Sequence, residues 1–270
     1  MQRAQRSPGT LLRRLRSQRG LSQESLATRA SVSPRHLSFV ENGRSQPSRD
    51  LLLSLGAALD LSLRERNELL VAAGFSAAFR ETALDDPAMG PLLEGIDLLF
   101  AHAEPHPAVL LDHRWNVLRF NQGTLALFTF LGADIEALLE AQPINVLRLF
   151  FTPNGPLRRH VINFDPIADG LLARVEREAD IEGDPAVRAL AAELRALRGP
   201  VTHERSAGAP PVMLPLEVER DGVRLRWFTM LTTIGTPLDI TAQSLRVETY
   251  VPLDQATRST MEQLARRSRG

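Results

Sequence analysis

The chain has 270 residues; all 32 of its basic groups are arginine, and 32 acids bring the formal net charge to zero. No cysteine occurs, which excludes disulfide frameworks, zinc–thiolate sites and thiol nucleophiles. No apolar run approaches the roughly 20 residues a membrane-spanning helix needs, and no secretory leader opens the chain. The expectation is a cytoplasmic protein with room for two domains, one of them with a substantial core.

The zero charge is a cancellation. Residues 1–75 hold 12 Arg against 6 acids, and residues 76–270 hold 20 against 26, so a +6 head precedes a −6 body. That split suits a module facing phosphate joined to one that does not, although scattered solvated charges could give it too.

The head reads as five helices. Ser7-Pro8 combines an N-cap with proline at N1, and Leu11, Leu12 and Leu15 form an inner stripe with Arg13, Arg14 and Arg19 outside. Ser22 opens a second helix, with Leu26, Ala27 and Ala30 inward. Ala30-Ser31-Val32-Ser33 is a turn of small residues with one apolar plug. Ser33-Pro34 then starts a short third helix, in which Leu37 and Val40 face inward while Pro34, Arg35, Ser38 and Phe39 stay outside; Asn42-Gly43 ends it. A helix this short is marginal alone, so others must hold it and its outer face must have a use. Pro47-Ser48 starts a fourth helix with Leu51, Leu52, Leu55, Ala58 and Leu59 inward. Ser62 and Glu65 have the spacing of a capping box before a fifth, through Leu69 and Leu70 to a stop at Gly74.

The stretch LSQESLATRASVSPRHLSFVENG, Leu21–Gly43, closely resembles the helix-turn-helix of phage-repressor-like XRE-family regulators. The resemblance implies double-stranded DNA as partner, and a homodimer, because one short recognition helix reads few base pairs. It gives Gln23 and Asn42 to phosphate, which sets register without reading sequence. Arg35 is the first choice for base readout, since its fork fits guanine O6 and N7. Ser33, Pro34, Ser38 and Phe39 lie beside it, and Arg44 and Ser45 follow in the next loop. The resemblance also implies an ion pair between Arg16 and Glu41, tying helix 1 to the recognition helix; a surface arginine is the alternative.

Residues 76–106 read as an acidic, proline-punctuated linker broken at Asp85-Asp86-Pro87, with an amphipathic helix from Pro91 to Ala103. From Pro107 the period changes. Ala108–Leu111 and Trp115–Phe120 read as strands, Asn121 caps a helix to Leu131, and helices follow near 134–141, 144–151, 156–163, 165–181 and 185–198. A Gly/Pro-rich loop covers 199–213. Strands Leu214–Arg220 and Val223–Ile234 flank a hairpin turn at Asp221-Gly222, and Ser244–Val251 is the last. Two strands, several helices, then three strands is the order of a PAS-type sensor: a five-stranded antiparallel sheet with helices. The fold class is thus a helical head, 1–75, before an α+β domain, 107–254, with 255–270 a polar tail that ends in a helix over Thr257–Ala265.

Val109–Leu127, Asn145–Phe150 and Phe228–Tyr250 resemble the ligand-binding half of MmyB-like transcription regulators. That family implies a small hydrophobic ligand, a long-chain fatty acid among those proposed. Such a pocket needs large apolar walls and one or two polar groups at its mouth. Candidates are Phe120, Leu127, Phe128, Phe150, Phe151, Phe164, Leu171, Trp227, Phe228 and Met230, each of which could equally fill the core. For a carboxylate head the candidates are Arg148, Arg158, Arg159 and His160.

The sequence contains no GxSxG, Walker loop, dinucleotide glycine motif or HExxH, so neither an enzyme nor a resident cofactor is expected. His102 and His106 have metal-ligand chemistry, but Pro105 prevents a continuous helix from presenting both, and no metal site is expected. A ligand-sensing regulator is the leading reading. A body that only dimerises or binds a protein is the alternative.

Overall fold

A computed structural model describes residues 7–141, 143–200 and 212–267. Most of the expected loop at 199–213 lies outside the described residues. Contacts divide the chain into two units: Met1–Asp86 with Asp180–Glu182 and Thr236–Gln243, and the remainder.

The head has the five expected helices, α1 (Pro8–Gln18), α2 (Gln23–Arg29), α3 (Pro34–Glu41), α4 (Arg49–Ala58) and α5 (Leu63–Ala72). Each has a serine N-cap whose hydroxyl accepts a first-turn N–H: Ser7, Ser22, Ser33, Ser48 and Ser62. Ser62 and Glu65 close the capping box from both sides. Between α2 and α3, Ser31 adopts a left-handed φ of 55°, and the Val32 N–H donates back to the Ala27 carbonyl at 2.9 Å. Leu12, Leu26, Leu37, Leu52, Leu55 and Leu69 meet in one core with almost no solvent exposure. Arg19, expected outside, instead donates to both carboxylate oxygens of Glu65 at 2.9 Å. A capping carboxylate at the head of α5 draws it in.

The body holds α6 (Gly90–Ala103), β1 (Ala108–Leu111), β2 (Val117–Phe120), α7 (Gln122–Phe130), α8 (Ile135–Glu140), α9 (Val146–Phe151), α10 (Phe164–Glu182) and α11 (Pro185–Arg198). Then come β3 (Leu216–Arg220), β4 (Val223–Thr233), α12 (Ile240–Ser244), β5 (Arg246–Pro252) and α13 (Gln255–Arg267). The sheet is antiparallel throughout, in the order β2-β1-β5-β4-β3. The β3–β4 turn places Asp221 and Gly222 at positive φ, 51° and 75°, as a two-residue hairpin loop requires.

Four expectations are corrected. Trp115 does not begin β2: it takes a left-handed φ of 65° in a turn organised by the Asp112 carboxylate, which accepts from the Arg114 and Asn116 N–H groups. Residues 156–163 form only a short 3-10 turn, Arg158–His160. There Val161 bridges Val218 and the Ile162 N–H donates to the Glu217 carbonyl, so the backbone bonds go to the sheet edge and not to a helix. Residues 240–244 are helical, and β5 begins only at Arg246. The polar C-terminal stretch is part of the body: Asp254 caps α13, Thr257 Oγ1 accepts from the Arg226 N–H, and Met261 is fully buried in the core. Three arginines and few apolar residues in α13 hid that packing.

Candidate DNA-reading edge and ligand chamber

Helix α3 is held from behind. Leu37 and Val40 are buried, and α3 packs against α1 and α2. The Glu41 side chain is fully buried and takes two bonds from Arg16, Nε at 2.7 Å and Nη2 at 3.0 Å. Gln23 Nε2 adds a third at 2.7 Å, and Arg16 Nη1 also donates to the Leu21 carbonyl at 2.7 Å. Burial alone pushes a carboxyl's pKa up, but the bonds from Arg16 and Gln23 and the charges of Arg16 and Arg13 outweigh it, so Glu41 lies below the usual range. Gly9 lets α1 approach this closely, because a Cβ there would collide with the Val40 and Glu41 carbonyl oxygens.

The opposite edge of α3 is free. Pro34 and Arg35 are exposed, Ser38 and Phe39 half-buried, and the Arg35 guanidinium lies 5.4 Å from the Phe39 ring centroid. Arg35 makes no ion pair among the described residues. Ser33 is exposed as the N-cap, its hydroxyl accepting from the His36 N–H at 3.1 Å. Gly43 takes a φ of 71°, the Arg44 and Ser45 N–H groups return to the Phe39 carbonyl, and the Arg44 side chain is exposed. Asn42 is exposed, but its amide already donates to the Ser38 carbonyl at 2.8 Å and accepts from Arg13. Gln23 and Asn42 thus both build the scaffold, a role the residue types alone did not indicate.

In the body, helices α7, α8 and α9 and the sheet line a cavity of about 70 Å³. Its walls include Phe120, Leu127, Phe128, Leu138, Val146 and Leu149. A second cavity of about 80 Å³ adjoins it and shares Val146, Leu157, Leu216 and Tyr250. Phe150 and Leu171 line the second, together with Trp115, Thr229 and Glu248. Among the described residues Glu248 is the one carboxylate side chain there; burial raises its pKa to about 7, against the lowering effect of the Thr229 hydrogen bond and the Arg174 charge. Burial, and next the Glu248 charge, raises that of Tyr250.

Five apolar candidates lie elsewhere. Phe151 and Phe164 are core, Phe164 stacked on Phe150 and Phe151 edge-on to it, and Trp227 is fully buried edge-on to Tyr250. Phe228 and Met230 are out of phase, since in β4 Thr229 is the residue that faces the second cavity, and alternation turns its neighbours away. Met230 is 52% exposed. No cationic candidate reaches either cavity. Arg148 pairs with Glu193 at 2.8–2.9 Å, Arg158 covers the Phe164 ring, Arg159 donates to the Gly132 carbonyl, and His160 bonds the Glu219 carbonyl. Glu248 and Tyr250 were missed because β5 mixes polar and apolar residues, and which of them face inward is fixed only once strand phase is known. Among the described residues no group of three potential metal ligands forms, and no helix is long and apolar enough to cross a membrane.

A repressor-like head and a body with an apolar chamber define a DNA-binding transcription regulator with a ligand-sensing domain. Residues 9–69 match the helix-turn-helix domain family, and residues 92–264 match the MmyB-like transcription regulator ligand binding domain. The second match spans more than half of the chain, which belongs to that MmyB-like family. No curated protein matches the chain.

Proposed function

We propose that this regulator reads a specific DNA site with the outer edge of α3, as a homodimer in the cytoplasm, and that its body senses a small hydrophobic ligand. The observation that carries the reading is the two-sidedness of α3: Leu37, Val40 and Glu41 are locked inward while Pro34, Arg35 and the Ser38–Phe39 flank remain available. In this reading Arg35 contacts a base edge, Ser33, Pro34, Ser38 and Phe39 shape the fit, and Gln23, Asn42, Arg44 and Ser45 border the phosphates. Pairing two heads doubles the site read. The chamber suits an alkyl or acyl chain, the apolar part of the long-chain fatty acid that resemblance suggests. Its polar end is a separate question.

Selection from genomic fragments at low salt should yield one preferred, near-palindromic sequence, bound less tightly as salt rises because phosphate contacts release counterions. Arg35→Ala should then cost about 1–3 kcal/mol at a single base pair and relax preference there. Equal weakening on every sequence would count against base readout by Arg35. Denaturing extraction and mass spectrometry of the purified protein should return a stoichiometric apolar molecule. Its repeated absence, with no thermal shift from any alkyl compound, would return the body to a dimerisation or protein-binding role.

A further inference from the structure

The two cavities are small. At about 70 and about 80 Å³ they together approach the roughly 150 Å³ in which a protein interior takes up one benzene ring, so an alkyl chain enters only if a wall moves. Of the described residues lining the second cavity, Trp115 alone stands at positive φ, 65°, where a bulky residue holds its backbone at a cost that the surroundings must offset. A wall residue strained in this way has a lower-energy backbone available once its restraints let go.

Those restraints can be named. The Trp115 carbonyl accepts from the Val146 N–H at 3.1 Å, at the start of α9, and its indole Nε1 donates to one Glu178 oxygen at 2.9 Å. The other Glu178 oxygen accepts from Arg174 at 3.0 Å and from Arg246 at 2.9 Å, and both guanidinium groups lie 5.3 Å from the Trp115 ring centroid. The side chains of Glu178 and Arg246 are 16% and 11% exposed, so water competes little for these bonds. One carboxylate thus ties the cavity wall, α10 and the first residue of β5 to one another. Glu178 also stands at the root of both outlying segments that group with the helical head. Asp180–Glu182 follows it on α10, and Thr236–Gln243 ends three residues before its partner Arg246.

We infer that Trp115 is the movable wall of the second cavity, and that Glu178 passes its position to α10 and β5 and so to those two segments. The inference rests on the hydrophobic-ligand reading above and adds how occupancy is registered. An alkyl chain that fills the cavity displaces the indole, one Glu178 oxygen loses its donor, and the carboxylate shifts with the two arginines that remain on the other. Packed, buried pairings of this kind switch between discrete arrangements and do not deform continuously, which is what a signal requires.

The probe is the tightest-binding n-alcohol of the series from hexanol to dodecanol, titrated below its solubility limit into the full chain carrying isotope-labelled tryptophan. The chain's two tryptophans give two indole N–H signals, and Trp115→Phe assigns them. The alcohol should move the Trp115 signal as it saturates and should change amide hydrogen exchange in both Asp180–Glu182 and Thr236–Gln243. Glu178→Gln keeps the side-chain volume and an oxygen for the indole, but not the charge that holds both arginines. It should bind the alcohol within about threefold of wild type and lose the exchange response in both segments, a separation that a residue needed only for folding would not give. Should that variant not fold, wild type decides alone. Alcohol bound with the Trp115 signal unmoved, or with exchange in the two segments unchanged, would overturn the inference while leaving a hydrophobic-ligand sensor in place; so would an exchange response that survives in folded Glu178→Gln. If no alcohol of the series binds, the sensing reading fails and takes this inference with it.

Discussion

At the scale of single residues, the recognition helix depends on a missing side chain. Gly9 lies in the first turn of α1, where alanine ordinarily favours a helix by about 1 kcal/mol. Here the added Cβ would sit 2.7 Å from the Glu41 carbonyl oxygen and closer still to that of Val40. Both obstacles are backbone, so relief requires α1 and α3 to part, and overpacking of this kind costs about 1–3 kcal/mol. The clash outweighs the propensity. Gly9→Ala should therefore speed amide hydrogen exchange in α3 and weaken DNA binding, with the body's amides unaffected. Slower exchange in α1 and α3 would mean that propensity had won and that the close approach is dispensable. Gly123 plays the same part in the body, where a Cβ would strike the carbonyls of Pro105 and His106. Neither glycine stands at a turn, so sequence alone gave no reason to single them out.

At the scale of elements, the head was readable because its cues are local. Serine caps, Ser-Pro starts and leucines spaced three and four apart specify helices without reference to anything distant, and all five formed where expected. The body was less readable where one position depends on another far away. Residues 156–163 carry a helical pattern that yields to a bridge with Val218, and Phe228 and Met230 were placed one step out of phase because only pairing with β5 fixes which face of β4 turns inward. Walls on α7 and α9, such as Leu127, Phe128 and Phe150, were accessible from amphipathic pattern alone, whereas Glu248 was not.

The junction of α1, α2 and α3 also carries a pH dependence. Glu41 is held below its ordinary value of 4.5 in the folded head, so its contribution to stability is present above that value. It disappears as pH falls through the lower, folded value, because the unfolded chain takes up the proton first. Glu41→Gln keeps the shape and removes the charge. It should destabilise the head by about 1–3 kcal/mol at neutral pH. That difference from wild type should shrink steadily below about pH 4.5. Hydrogen exchange of α3 amides across this range measures it, and a difference that stays constant down to the lowest pH would show that the charge of Glu41 is not what ties the three helices.

At the scale of the whole molecule, the decisive feature is a segment whose place in sequence and place in the fold disagree. Thr236–Gln243 connects β4 to β5, yet its contacts group it with the helical head. Within that unit the Asp239 carboxylate accepts from the Thr82 N–H at 3.1 Å and its hydroxyl at 2.6 Å, and the Ile240 N–H donates to the Arg80 carbonyl at 2.8 Å. Gln243 Oε1 accepts from the N–H of Leu63, the first residue of α5, at 2.7 Å. Three residues after Gln243 begins β5, the strand that carries Glu248 and Tyr250. Backbone continuity therefore runs from β5, which lines the second cavity, into the head's own hydrogen-bond network, and the prediction is that a ligand that repositions β5 changes DNA affinity through that segment. Coupling of this kind is reciprocal: the factor by which ligand changes DNA affinity equals the factor by which DNA changes ligand affinity. The double variant Asp239→Ala, Gln243→Ala removes the anchoring side chains while leaving α3 and the chamber lining intact. DNA affinity measured with and without a saturating alkyl ligand should give a ratio near one in the variant and clearly away from one in wild type, with ligand affinity of the free protein preserved. A ratio unchanged by the double substitution would show that the signal takes another route.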